Sequence, residues 1–188
     1  MNRRDIAVKC LEVHTCKDLE LYWTDSLQWS LHNGLLVFAG SDSLYDWWFY
    51  NLKLYSKQSL TGPGFVHAGF LDLAVGTWKE IKSTVLGRGQ ILGVAGYSLG
   101  AAVACLVAEK LRNVGVTLFA CPPIGDKQWA QRYPNKVFRY NCSPDLITRN
   151  WFGRTWPTGG DLIQIIGSGN PIQNHIKTLE NYIKYWEE

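Results

Sequence analysis

The residues with the clearest potential for chemistry are Gly96-Tyr97-Ser98-Leu99-Gly100. They match the G-x-S-x-G pattern of a nucleophile elbow, in which a serine sits on a sharp turn between a strand and a helix and projects its hydroxyl into a cleft. The turn brings the flanking backbone so close that side chains at positions 96 and 100 would collide. Glycine at both positions removes the obstacle. Ala101 and Ala102 then let a following helix lie tight against a sheet, and its N-terminus adds positive potential where an oxyanion would develop. Chance matches to such a short pattern are common. Here the context specifies it, because the apolar run Ile91-Leu92-Gly93-Val94-Ala95 comes immediately before it and a small-residue, helix-forming run immediately after.

A serine nucleophile of this kind needs a base and an acid, and the fold that carries the elbow supplies them in the order Ser, acid, His. His14, His32 and His67 all precede Ser98, which leaves His175 as general base and then general acid. The aspartates between them are Asp126, Asp145 and Asp161. Asp126 reads as the N-cap of a short helix. Asp161 precedes its strand and falls at the wrong edge of the sheet. Asp145, in Asn141-Cys142-Ser143-Pro144-Asp145, lies just beyond the carboxyl end of a strand, where functional groups gather in open α/β sheets. It is the expected acid, holding the His175 tautomer and stabilising the imidazolium. The Leu99 N–H is one expected oxyanion donor, and Phe38-Ala39-Gly40-Ser41 is placed for the second, through Ser41.

The elements that must position these residues can be read around them. Residues 3–17 pattern as an amphipathic helix with Ile6, Ala7, Cys10, Leu11 and His14 on one side. Leu27, Trp29 and Leu31 alternate with polar residues, Asn33-Gly34 supplies a type I′ turn, and Leu35-Leu36-Val37-Phe38 returns as a strand buried on both faces. A Gly-Pro-Gly loop at 62–64 leads to a helix from Gly69 to about Val85. Strands are expected at 91–95, 114–120, 136–141 and 162–166, with helices at 98–112, 126–132 and 175–186. Strand–helix alternation after residue 90 predicts a mostly parallel central sheet with an antiparallel N-terminal hairpin and helices on both faces, the α/β-hydrolase fold, as a single domain over 1–188.

Composition narrows the class. The net charge of +3 is mild and scattered, which argues against nucleic acid as a partner. No apolar run approaches the roughly 20 residues of a membrane span, and no secretory h-region follows the basic N-terminus. A cytoplasmic protein is the expectation. Cys10, Cys16, Cys105, Cys121 and Cys142 are odd in number and lack C-x-x-C spacing. They read as reduced thiols, with Cys105 and Cys121 in the core, and neither a metal nor a cofactor is expected.

Taken together, these residues resemble the class 3 lipase family, the fungal-type triacylglycerol lipases and their relatives, from about residue 27 to 185. Val37-Phe38-Ala39-Gly40-Ser41 with Asp46-Trp47 and Asn51-Leu52 looks like the family's oxyanion strand and following segment. Val66-His67-Ala68-Gly69-Phe70 looks like its V-H-x-G-F stretch, with His67 bracing the start of a helix. Phe119 to Gly125 is similar to its G-x-P-x-x-G turn. Ala39, Tyr97 and Asn174 depart from the family's usual Arg, His and Asp, and Asp145-Leu146-Ile147-Thr148 lacks its proline. The resemblance implies that Ser41 and the Leu99 N–H form the oxyanion hole. It also places 43–50 where relatives carry a lid or pocket rim, so that Trp47, Trp48, Phe49 and Tyr50 make an apolar lip. Trp47, Trp48, Phe49 and Tyr97 are the expected substrate contacts. The implied activity is carboxylic ester hydrolysis on lipid-like acyl esters through an acyl-enzyme, with transient lipid-interface contact and a monomeric state. The alternatives are phospholipase or lysophospholipase action on the same triad, an aryl-esterase activity, a catalytically silent lipid-binding module, and a membrane-remodelling factor acting through the lip.

Overall fold

A computed structural model of the chain describes residues 1–15, 17, 21–24, 27–41, 55–85, 89–150 and 153–187. Helix α1 (Arg3–His14) opens with a reciprocal cap between Asn2 and Asp5 and buries Ala7, Cys10 and Val13. The strands β1 (Leu21–Thr24), β2 (Leu27–His32) and β3 (Leu35–Phe38) form an antiparallel meander. Asn33 and Gly34 take positive φ values of 48° and 80° at the tight turn, as the Asn-Gly pair predicts. From β3 onward every pairing in the main sheet is parallel: β3 with β6 (Gly93–Tyr97), β6 with β7 (Gly115–Phe119), β7 with β8 (Val137–Ser143), and β8 with β9 (Gly160–Ile166). Among the described residues the sheet order is β1-β2-β3-β6-β7-β8-β9. This is the mostly parallel sheet with an antiparallel beginning that the sequence predicts.

The helices divide between the two faces by the two-residue period of the strands. Leu36 and Phe38 of β3 and Val94 of β6 point to a core shared with α2 (Ala68–Val85), α3 (Leu99–Ala108) and α4 (Lys127–Gln131). Leu35, Val37, Ala95 and Tyr97 point the other way, to α1 and α6 (Thr178–Tyr185). All four β3 residues are buried, as a strand covered on both sides must be. Every residue of α3 is buried too, and its small side chains let it lie directly on β6.

Several expectations are corrected. The strand expected at 91–95 begins at Gly93 and runs to Tyr97, because Ile91 and Leu92 lie before the parallel register starts at Gly93–Leu35. The helix expected to reach Arg112 ends at Ala108, with Glu109 as C-cap. The single C-terminal helix is two, α5 (Pro171–Ile176) and α6, since Asn170 caps and Pro171 starts a separate helix before Lys177 interrupts. The small antiparallel pair β4 (Ser56–Gln58) and β5 (Phe65–His67) was not foreseen. The expected lip residues Trp47, Trp48, Phe49 and Tyr50, and also Cys16, lie outside the described residues. Cys10, Cys105, Cys121 and Cys142 are buried free thiols. Among the described residues, no helix is long and apolar enough to cross a membrane.

Candidate active site

The carboxyl ends of the parallel strands gather three segments. Ser98 follows β6 directly and caps α3, Asp145 stands two residues beyond β8, and His175 lies in α5, which follows β9. Ser98 has φ 54° and ψ −120°, a conformation that L side chains rarely adopt. Its N–H donates to the Phe119 carbonyl at 2.9 Å, and its carbonyl accepts the Ala101 N–H at 3.0 Å. The flanking glycines hold this turn by close approach. A Cβ on Gly96 would stand 2.4 Å from the Gly100 oxygen, and one on Gly100 would stand 2.0 Å from the Ala39 oxygen. Neither position has room for a side chain.

The three side chains form one hydrogen-bonded line. Ser98 Oγ lies 2.8 Å from His175 Nε2, and His175 Nδ1 lies 2.8 Å from Asp145 Oδ2. Ser98 is 0%, His175 1% and Asp145 4% exposed. With Nδ1–H donating to the carboxylate, Nε2 is left as the acceptor for the serine hydroxyl, the tautomer a general base requires. The other Asp145 oxygen, Oδ1, accepts the Ile147 N–H at 2.8 Å and fixes the carboxylate within its own turn. The other two aspartates are committed elsewhere. Asp126 caps α4 by accepting the Trp129 N–H at 2.8 Å and also accepts the Phe65 N–H at 2.9 Å. Asp161 lies at the far end of β9, on the surface, 3.5 Å from Lys136.

On the oxyanion side, Leu99 is the first residue of α3, where backbone N–H groups have no acceptor within the helix. Gly40 packs against the elbow, where a Cβ would meet Ser98 Cβ at 3.3 Å and Tyr97 Cδ1 at 2.8 Å. Ser41 is therefore one residue from contact with Ser98. Among the described residues its buried Oγ has no hydrogen-bond partner.

Tyr97, expected to contact substrate, is turned to the opposite face of β6. It is 2% exposed and packs with α1 and α6, as alternation along the strand demands. Its hydroxyl donates to the His175 and Ile176 carbonyls at 2.9 and 3.1 Å. It braces the histidine's backbone. His67 does brace a helix start: its Nδ1 accepts the Gly69 N–H at 3.1 Å, and burial together with the Arg154 guanidinium lowers its pKa to about 4.

Two buried groups hold roles that the sequence reading did not assign. Asn174, 1% exposed, donates from Nδ2 to the Pro144 and Gly169 carbonyls and accepts the Gly169 N–H. Glu109, 3% exposed, pairs with Arg132 at 3.0 Å and accepts the Ser59 and Thr61 hydroxyls. The available signal in the sequence was a carboxylate directly after the apolar run 99–108, a place that requires partners once it is buried.

Comparison with known proteins fits this geometry. No curated protein matches the chain. Among solved structures it is similar to Rhizomucor miehei triacylglyceride lipase, at 22% identity and TM-score 0.60, covering 83% of this chain and 70% of that one. It is also similar to the lipase of Rhizopus microsporus var. chinensis, at 18% identity and TM-score 0.55, covering 77% and 60%. A further match is Rhizomucor miehei lipase in its propeptide complex, at 23% identity and TM-score 0.53, covering 68% and 49%. At these identities the likeness is one of fold, and the chain spans between 49% and 70% of the length of these three lipase chains. The family model Lipase (class 3) matches residues 35–154, a stretch that holds Ser41, Ser98 and Asp145, while His175 beyond it is placed by the 2.8 Å contact with Ser98. That stretch is well over half of the 188 residues, and the chain belongs to the class 3 lipase family.

Proposed function

We propose that the chain hydrolyses carboxylic esters with lipid-like acyl groups, through an acyl-enzyme on Ser98. The observation that carries this reading is the unbroken line from Ser98 Oγ to His175 to Asp145, with both links at 2.8 Å. In this mechanism His175 Nε2 takes the proton as Ser98 Oγ attacks the ester carbonyl. The carbonyl oxygen becomes an oxyanion held by the Leu99 N–H and by Ser41. Collapse expels the alcohol, which receives the proton from His175. Water, activated by the same imidazole, then attacks the acyl-enzyme and releases the acid. Asp145 holds the imidazole in place and stabilises the imidazolium.

The lipid-like substrate class is supported by membership in a lipase family. It is also supported by the exposed aliphatic residues Leu146, Ile172 and Ile176 on the segments that carry Asp145 and His175. These apolar side chains suit contact with acyl chains or a lipid interface.

The test is hydrolysis of p-nitrophenyl esters across acyl lengths, with a fluorophosphonate adduct located by mass spectrometry. The expected results are an adduct on Ser98, activity lost in Ser98→Ala, and a preference for medium or long acyl chains. A wild-type protein that neither turns over any ester nor takes the adduct is a binding module, and the proposal fails. Activity confined to the shortest esters would retain the hydrolase and overturn its lipid-like substrate.

A further inference from the structure

We propose that Asn174 is a positioning residue whose carboxamide locks the acid-bearing loop to the histidine-bearing helix. This rests on the reading of Ser98, His175 and Asp145 as a catalytic triad. Asp145 and His175 sit on separate segments, joined side chain to side chain by one 2.8 Å contact. A contact of that length has the right angle only if both backbones are held to a few tenths of an ångström. Something besides the contact itself has to hold them.

Asn174 immediately precedes His175, and Pro144 immediately precedes Asp145. The Asn174 Nδ2 donates to the Pro144 carbonyl at 3.0 Å and to the Gly169 carbonyl at 3.0 Å, while its Oδ1 accepts the Gly169 N–H at 2.9 Å. One carboxamide thereby joins the acid loop, the β9–α5 loop and the histidine's own helix, using both its N–H groups and its oxygen. The β9–α5 loop closes directly around it. A Cβ on Gly167 would stand 2.3 Å from Asn174 Oδ1, and the Gly167 N–H donates to the Ser143 carbonyl at 2.7 Å. On the far side, Thr178 Oγ1 donates to the Asn174 carbonyl at 2.7 Å, so the clamp's own backbone is held as well.

In this chain, where relatives usually carry Asp, two backbone carbonyls face position 174 and call for a donor. Aspartate at 174 has nearly the same size and shape but, when ionised, no donor. It would set a carboxylate against the Pro144 and Gly169 carbonyls, and repulsion would replace two hydrogen bonds. Because the clamp attaches one residue before each partner, such a change moves the Asp145–His175 contact directly.

Asn135 provides a matched comparison. It is another buried amide, 5% exposed, whose Nδ2 donates to two backbone carbonyls, those of Ala108 at 2.6 Å and Leu111 at 2.9 Å, at the end of α3 remote from Ser98. Asn174→Asp, Asn174→Ser and Asn135→Asp are made in the full chain. Three readings are taken: kcat per fluorophosphonate-titrated serine, KM, and the low-field proton resonance of the His175 Nδ1–H. Asn174→Asp is expected to lower kcat per titrated site by about 10- to 100-fold with KM within about twofold, and to shift or broaden the resonance. Asn174→Ser, which keeps one donor and adds no charge, is expected to fall between and stands in if the aspartate variant does not fold. Asn135→Asp is expected to lower stability while leaving kcat per titrated site and the resonance unchanged.

The inference is overturned if the Asn174 variants behave like Asn135→Asp, losing stability alone. A wild-type chain with no turnover would overturn the hydrolase reading, and the resonance would still decide this one. Retained unchanged in the Asn174 variants it refutes the clamp; lost or shifted, it supports it.

Discussion

Replacing Gly100 with alanine tests the elbow and the oxyanion loop together. The new methyl group would stand 2.0 Å from the Ala39 carbonyl oxygen and 2.6 Å from its carbon. Both are backbone atoms of the segment leading into Gly40-Ser41, so no side chain can rotate away. Even the tightest contact a Cβ tolerates, about 3.0 Å, requires about 1 Å of separation between the start of α3 and the end of β3. That shift moves the Leu99 N–H relative to Ser41 by a similar amount. A misplacement of about 1 Å costs on the order of 100-fold in rate, and overpacking costs about 1–3 kcal/mol of stability. Gly76→Ala is the control: its Cβ meets nothing within 4 Å on the exposed face of α2, and it is expected to stabilise by about 0.5–1 kcal/mol. The assay is kcat on a p-nitrophenyl ester, normalised by fluorophosphonate titration, with urea unfolding in parallel. Gly100→Ala with kcat within threefold of wild type and stability within about 0.5 kcal/mol would falsify the close-approach argument.

Other expectations follow from the braces around the site. Tyr97→Phe removes the donor to two buried carbonyls and should cost about 1–3 kcal/mol in urea unfolding; a variant as stable as wild type would deny the brace. The His67 pKa near 4, against an ordinary 6.5, means the fold prefers the neutral ring, so its contribution is whole above about pH 6.5 and is lost as pH falls toward 4. The loss should be about 2 kcal/mol, allowing for solvent screening, and His67→Asn, which keeps an acceptor for the Gly69 N–H, should not show it. Glu109→Ala and Arg132→Ala should each cost about 3 kcal/mol, with the double variant costing less than their sum because each single change strands a partner. Ser98→Gly should be more stable than Ser98→Ala by about 1 kcal/mol, reversing the usual order, because only glycine relaxes at φ 54°.

Much of the site was legible because its chemistry is local. Gly96, Ser98 and Gly100 stand within five residues, and the steric demand that selects the glycines is the contact of Gly96 with Gly100 and of Gly100 with Ala39. The Asn33-Gly34 turn is equally local, since its positive φ values are set by two adjacent residues. His175 was reachable by elimination, as the one histidine after Ser98, and Asp145 by its place beyond a strand's carboxyl end. Strand and helix limits were less legible. Leu92 is as apolar as its neighbours yet 62% exposed, because what ends the strand is the register with β3, a property of the partner.

The roles that were missed share a cause. Asn174 and Glu109 are ordinary polar residues until their burial is known, and burial follows from segments far away in sequence: Pro144 for the first, Ser59 and Arg132 for the second. Tyr97 shows the same limit from the other side. Its place beside the nucleophile suggested contact with substrate, but one step along a strand turns a side chain to the opposite face. That face packs with α1 and α6, and from it the hydroxyl reaches the His175 and Ile176 carbonyls. Adjacency to Ser98 thus makes Tyr97 a brace for the His175 backbone rather than a substrate contact. The strand's alternation brings one residue to the reacting group and its neighbour to the support of the base, and a substitution at position 97 should be read through His175 before any pocket is invoked.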